Sequence, residues 1–174
     1  MEISAAMVKK LRDETGAGIM ECKRALQEAE GDEKKAKIIL NEHGLARAEK
    51  KSGRVAAQGL IEAYTHAGGR ICAMVEVNCE SDFVARTDDF RLLAHDLAMQ
   101  VAATSPRFIR AEDVPADDTE TVRVEACLLL QPFIKEPSLS IQDLIKQHVA
   151  KLGENIQIRR IARFELGESA EIAK

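Results

Sequence analysis

Near Val55 the spacing of apolar residues changes from a helical repeat to strict alternation. Val8 and Leu11 follow Ser4, a residue suited to capping a helix, and Thr15-Gly16 ends that segment. Ile19, Cys22, Leu26 and Ala29 line one face of a second helix. Gly31-Asp32 breaks the chain and caps a third, with Ala36, Ile39 and Leu40 turned inward and Gly44 as its C-terminal stop. Three short helices close a core only by packing on one another, so residues 1–45 are expected to form a compact helical module. Residues 46–54, with Arg47, Lys50, Lys51 and Arg54 among small residues, read as a basic linker.

Beyond Val55 the period is two. Leu60–His66 and Arg70–Cys79 flank Ala67-Gly68-Gly69, which is hairpin chemistry, and Ile71, Ala73, Val75 and Val77 mark the inward face of the second strand. After Thr87-Asp88-Asp89, an amphipathic helix carries Phe90, Leu93, Leu97 and Val101 on one side, with Ala94 and Ala98 beside them, until Pro106. Residues 105–120 read as an exposed acidic loop, and Val122, Ala126, Leu129 and Phe133 fit one helical stripe. Ser140 and Asp143 resemble a capping box that opens a helix with Ile141, Leu144, Ile145, His148, Val149 and Leu152 on its face, stopped by Gly153. Alternation from Ile156 to Leu166 predicts a third strand with Ile158, Ala162 and Phe164 on one side. Residues 55–174 are therefore expected to be an α+β core: a three-stranded antiparallel sheet with helices packed on one face.

Composition narrows the function classes. A chain of 174 residues with a net charge of −4 is not built to coat nucleic acid or an anionic membrane. Met1-Glu2-Ile3-Ser4 has no basic n-region or apolar h-region, and no window approaches a membrane span, so a cytoplasmic protein is expected. Cys22, Cys72, Cys79 and Cys127 form no C-x-x-C pair; they read as reduced, mostly buried thiols, with an intermolecular disulfide as the alternative.

Catalytic and nucleotide motifs fail on their spacing. Gly16-Ala17-Gly18 lacks the third glycine of a dinucleotide loop, because Glu21 stands there, and a helix rather than a strand precedes it. A helix–turn–helix corner explains both glycines. His43, His66, His95 and His148 are scattered without ligand partners at metal spacing, so no cofactor, no metal and no enzymatic site is expected. Arg159, Arg160 and Arg163 raise an RNA reading, but an RNA-binding sheet needs exposed aromatics, and Phe164 shares the face expected to be buried.

One step stands out. Glu76 to Cys79 run into Glu80-Ser81-Asp82-Phe83-Val84-Ala85-Arg86, placing a scarce aromatic at a strand exit beside carboxylates; the chain has five Phe, one Tyr and no Trp. An apolar wedge beside a charge on a rigid turn suits protein binding. Alternatively Asp82 caps the next segment while Phe83 folds back onto the core, and composition alone favours that version.

Two segments carry a family resemblance. Leu11 through Leu26, with Thr15-Gly16-Ala17-Gly18-Ile19-Met20-Glu21-Cys22 at its centre, closely resembles the N-terminal signature of elongation factor Ts. Glu76 through Arg86 resembles that family's second signature, with Ser81 where Thr is usual, and Gly153 through Arg160 looks like a third segment. The segments Gln131–Ser140 and Phe164–Glu168 resemble the later half of long forms, yet the chain leaves no room for their coiled-coil insertion and second core subdomain. It is thus similar to the short form with a single core. The resemblance implies guanine-nucleotide exchange on elongation factor Tu in its GDP-bound and nucleotide-free forms, a helical module similar to a ubiquitin-associated fold, and a homodimer that restores the second core. It implies partner contacts at Arg12, Ile19, Met20, Asp82, Phe83, Val84 and Ile156, with Asp82-Phe83 wedged near the partner's magnesium and phosphate site; the strand position of Ile156 equally fits the core. It implies no membrane and no direct nucleic-acid contact. An RNA-binding accessory protein using the basic linker and the arginine cluster is the alternative.

Overall fold

The computed structural model describes residues 3–66, 68–115 and 125–168, which fall into two compact units. The first takes the N-terminal residues to Arg54 together with Lys146–Asn155; the second takes Val55–Ile145 and the residues from Ile156 onward.

The first unit begins with α1 (Ala5–Thr15), α2 (Ile19–Glu28) and α3 (Glu33–Lys51). Ser4 caps α1 by accepting the Met7 N–H at 3.3 Å. At the α1–α2 corner Gly16 adopts φ +69°, a left-handed conformation that favours glycine, and its N–H reaches the Arg12 carbonyl at 2.7 Å. Leu11, Cys22, Ala25, Leu26, Ala36 and Leu40 meet in the core. Ile19 does not join them: it lies on the exposed start of α2, so the inward face is Cys22, Ala25, Leu26 and Ala29.

Gly44 is not a helix stop. The α3 helix continues through it to Lys51, so most of the stretch read as a linker is helical, with Ala48 buried. The reason is a crossing helix. The later turns of α6 (Ile141–Leu152), from Lys146 onward, belong to this unit, and a Cβ on Gly44 would stand 3.0 Å from the Cβ of Ala150. Glycine is there to let two helices approach, and a buried Asn155 then closes the end of α3 by donating to the carbonyls of Ser52 at 3.2 Å and Arg54 at 2.7 Å.

The second unit is built on β1 (Gln58–Thr65), β2 (Ile71–Cys79) and β5 (Gln157–Glu165), antiparallel in the order β1-β2-β5. Between β2 and the long helix α5 (Asp88–Thr104) lies the single turn α4 (Asp82–Ala85). The α5 helix packs on β1 and β2 and buries Ala73, Val75 and Val77 beneath Phe90, Leu93, Leu97 and Val101. A short hairpin, β3 (Pro132–Phe133) with β4 (Glu136–Ser140), leads into α6.

Two expectations fail here for identifiable reasons. Phe133 is in β3, and Leu128–Leu130 form a 3-10 turn, so no helical stripe joins Ala126, Leu129 and Phe133; Val122 lies outside the described residues. Pro132 cannot donate a helical N–H, and the buried Gln100 amide instead donates to the Pro132 carbonyl and to Gln131 Oε1, both at 3.2 Å. Phe164 is 66% exposed rather than buried. The pairing shifts between Glu76 and Val77, whose partners are Arg160 and Ile158, so Arg159 is bulged out. Beyond that bulge Ile161 and Arg163 take the helix-covered side, and Ala162 and Phe164 move to the open one. Among the described residues, no helix is long and apolar enough to cross a membrane.

Candidate functional site

The α4 turn presents the acid–aromatic step to solvent. Phe83 is 81% exposed, which rejects the version in which it folds back onto the core. The cap is Ser81 rather than Asp82: the Ser81 hydroxyl accepts the Val84 N–H at 3.4 Å. Asp82 occupies the first position of the turn and pairs with Arg86 at 2.8 Å, a residue one helical turn later.

The turn is braced from both ends. On the β2 side the Cys79 thiol, fully buried, donates to the Ser81 carbonyl at 3.1 Å. On the α5 side the Thr87 hydroxyl donates to the Val84 carbonyl at 2.8 Å and accepts the Phe90 N–H at 3.3 Å, so one side chain ends α4 and caps α5. Ala85 is buried and anchors the turn, Val84 is half-buried, and Phe83 before them stands out into solvent. A rigid turn that holds out a large apolar side chain loses little conformational freedom when it docks.

The helical unit carries its own exposed apolar pair. Ile19 and Met20 are 56% and 64% exposed at the start of α2, next to the glycine corner. Gly18 opens α2, and Glu21 reaches back to accept its N–H at 3.3 Å, which fixes the direction of that first turn. Arg12 is exposed near the end of α1. Ile156 behaves differently from these residues: it is only 4% exposed, so it serves the core and not a free surface.

Sequence reasoning missed Cys79 and Thr87 as supports of the turn, and Arg86 as the partner of Asp82. A signal for Arg86 was present, since it is the one cation between Glu80 and Asp89, a stretch with four carboxylates.

The other candidates are tied up structurally. Arg160 pairs with Glu76 at 2.5 Å, Arg159 approaches the same carboxylate at 3.9 Å, and Arg163 bonds Glu165, Glu168 and the Ala102 carbonyl. They form no open row of phosphate contacts. His95 meets Glu62 at 3.1 Å and stacks edge-on against Tyr64. Among the described residues no three His, Cys, Asp or Glu side chains converge as a metal site. None of the four cysteines is in a disulfide; Cys22, Cys79 and Cys127 are buried, and burial pushes the Cys127 thiol pKa up.

Comparison with known proteins places the whole sequence. Residues 7–124 match the family model described as Elongation factor TS. Elongation factor Ts of Carboxydothermus hydrogenoformans is 49% identical over 95% of this chain and 90% of its own length. That of Heliobacterium modesticaldum is 50% identical over 95% and 91%. That of Coprothermobacter proteolyticus is 50% identical over 97% of this chain and all of its own. The last alignment runs over 197 positions against 174 residues here, so this relative holds segments that this chain lacks.

Proposed function

The chain belongs to the elongation factor Ts family, whose members act in translation elongation, and on that premise we propose that it is a guanine-nucleotide exchange factor for elongation factor Tu. The observation that carries this reading is the exposed Phe83 on its braced turn beside Asp82. Exchange requires no chemistry on this chain; it requires that binding of the factor and binding of GDP disfavour each other. Magnesium bound to nucleotide phosphates needs near-octahedral geometry, so displacing one of its supports by a fraction of an ångström weakens metal and phosphate contacts together. Phe83 supplies the displacing bulk and Asp82 a competing acceptor. Ile19, Met20 and Arg12 supply a second contact, through which the helical unit docks on the partner's nucleotide-binding domain. This takes place in the cytoplasm, with the GDP-bound and the nucleotide-free partner.

A homodimer accompanies this reading. The sheet face away from α5 carries Ile61 and Ala63 from β1, Met74 from β2, and Ala162 and Phe164 from β5, with Glu76 on the central strand between Ile61 and its ion-pair partner Arg160. An exposed apolar face that also carries one charge of each sign can match a second copy of itself, as a two-fold interface requires.

The test is stopped-flow release of labelled GDP from elongation factor Tu with increasing amounts of this protein. Release that accelerates and then saturates supports exchange. Release that is unaffected at any concentration rules it out, and salt-sensitive retention on a poly-anion column would then favour an RNA-binding accessory role.

A further inference from the structure

Resting on the exchange reading above, we infer that Arg86 is a positioning residue that neutralises Asp82 so that the Phe83 turn can approach a negatively charged site. At the turn itself Glu80 and Asp82 stand against one cation, Arg86, whereas Asp88 and Asp89 lie in the first turn of α5 with Arg91 close by. A nucleotide-binding site holding diphosphate and the acidic or polar ligands of a magnesium ion is itself rich in negative charge. Bringing an acidic tip to such a site is opposed by long-range repulsion, and that repulsion acts on the encounter before any contact forms.

The geometry gives Arg86 this task. Its guanidinium lies 2.8 Å from Asp82 Oδ2, with the Arg86 side chain 74% and the Asp82 side chain 48% exposed. An exposed pair of this kind adds little to folding. The turn is already braced by Ser81, Cys79 and Thr87, so the pair is not needed to hold α4. What the pair does control is the charge and direction of the Asp82 carboxylate beside Phe83. Arg86 places a positive charge against it in the free protein and keeps the carboxylate over the turn until the partner's own donors replace the guanidinium.

The experiment is GDP release from elongation factor Tu over a range of factor concentrations and salt, using the unaltered chain, Arg86→Ala, Arg86→Lys, Asp82→Asn and the Arg86→Ala/Asp82→Asn double variant. Arg86→Ala is expected to lower the rate at limiting factor by about three- to tenfold at low salt, with the saturated rate within about twofold of the unaltered chain. The deficit should shrink as salt rises, because screening removes the repulsion. Arg86→Lys should recover most of the loss, since it restores charge without bidentate geometry. The double variant should release GDP no more slowly than Asp82→Asn alone, because no carboxylate remains to neutralise.

Equal behaviour of Arg86→Ala and the unaltered chain at all concentrations and salts overturns the inference. So does a loss confined to the saturated rate, a loss that Arg86→Lys does not recover, or a faster rate, which would mean that the pair restrains Asp82. Thermal melting of each variant separates a folding defect from these effects. If the unaltered chain accelerates release and Phe83→Ala slows it, only the role of Arg86 is in question. If the unaltered chain does not accelerate release at all, the exchange reading and this inference fall together.

Discussion

The Cys79 thiol donates to the Ser81 carbonyl at 3.1 Å, which ties the last residue of β2 to the residue that caps α4. Because the turn is fastened through its backbone, the side chain of Phe83 can be removed without loosening it. Phe83→Ala is expected to change stability by no more than ~0.5 kcal/mol, as for other exposed positions. The same variant should slow GDP release from elongation factor Tu by tenfold or more, a barrier change of about 1.4 kcal/mol. Unimpaired release with the Phe83→Ala/Asp82→Ala double variant would sink the wedge.

Gly44 and Ala150 make a second close relationship, with opposite consequences for packing. In an ordinary exposed helix, glycine to alanine stabilises by about 1 kcal/mol. Here the new methyl would stand 3.0 Å from the Ala150 Cβ, which is fixed to a helix backbone and cannot rotate aside. Gly44→Ala should therefore destabilise by about 1–2 kcal/mol through overpacking. Adding Ala150→Gly should recover part of that loss in a chemical denaturation experiment, whereas simple additivity predicts a further decrease.

Local chemistry was legible in the sequence, and relationships between distant residues were not. Ser4, Asp32 and Ser140 are legible as helix starts because a cap depends on residues within one turn. Gly44 was misread because its role depends on Ala150, which no local pattern reveals. Phe164 was misread because the bulge at Arg159 is fixed by pairing with β2, and one extra residue reverses every side chain beyond it. For Phe83, composition alone favours the core over the wedge; its exposure on a turn braced by Cys79 and Thr87 removes the core version.

The exposed side of Phe164 makes the pairing of chains testable. Phe164→Glu places a charge among Met74, Ala162 and the neighbouring apolar side chains of the open sheet face. It should convert a dimer into a monomer in light scattering and leave the far-ultraviolet circular dichroism unchanged, because Phe164 contributes little to the core. An unaltered chain that is strictly monomeric and fully active would refute the pairing.

Gln100 is fully buried on α5, and its amide serves both ends of β3. Its Nε2 donates to Gln131 Oε1 and the Pro132 carbonyl at 3.2 Å, and its Oε1 accepts the Ile134 N–H at 2.9 Å. Gln100→Leu keeps the volume but strands the Ile134 N–H and takes a donor from the Pro132 carbonyl, while Gln131 Oε1 keeps the Thr104 hydroxyl at 2.8 Å; the change should cost about 1–3 kcal/mol. Gln100→Glu should recover little near neutral pH, since a carboxylate cannot donate to Gln131 or Pro132. Urea denaturation midpoints provide the comparison.

Asp32 makes the stability of α3 depend on acid. Its carboxylate accepts the N–H groups of Lys35 and Lys34 at 3.1 and 2.9 Å, and those bonds hold its pKa below the ordinary aspartate value, with the Lys35 N–H the largest cause. A lowered folded-state pKa means that the unfolded chain takes up the proton first, so the contribution is fully present above the ordinary value and is lost as pH falls through the folded one. The affected window lies below about pH 4. Asp32→Ala should melt below the unaltered chain at pH 7, and the difference should narrow as the pH is taken down through that window. Asp32→Asn, a neutral residue that still caps, should melt close to the unaltered chain at pH 7 and show a weaker acid dependence there. Parallel acid dependence for the unaltered chain and Asp32→Asn would assign the acid sensitivity of α3 to other carboxylates.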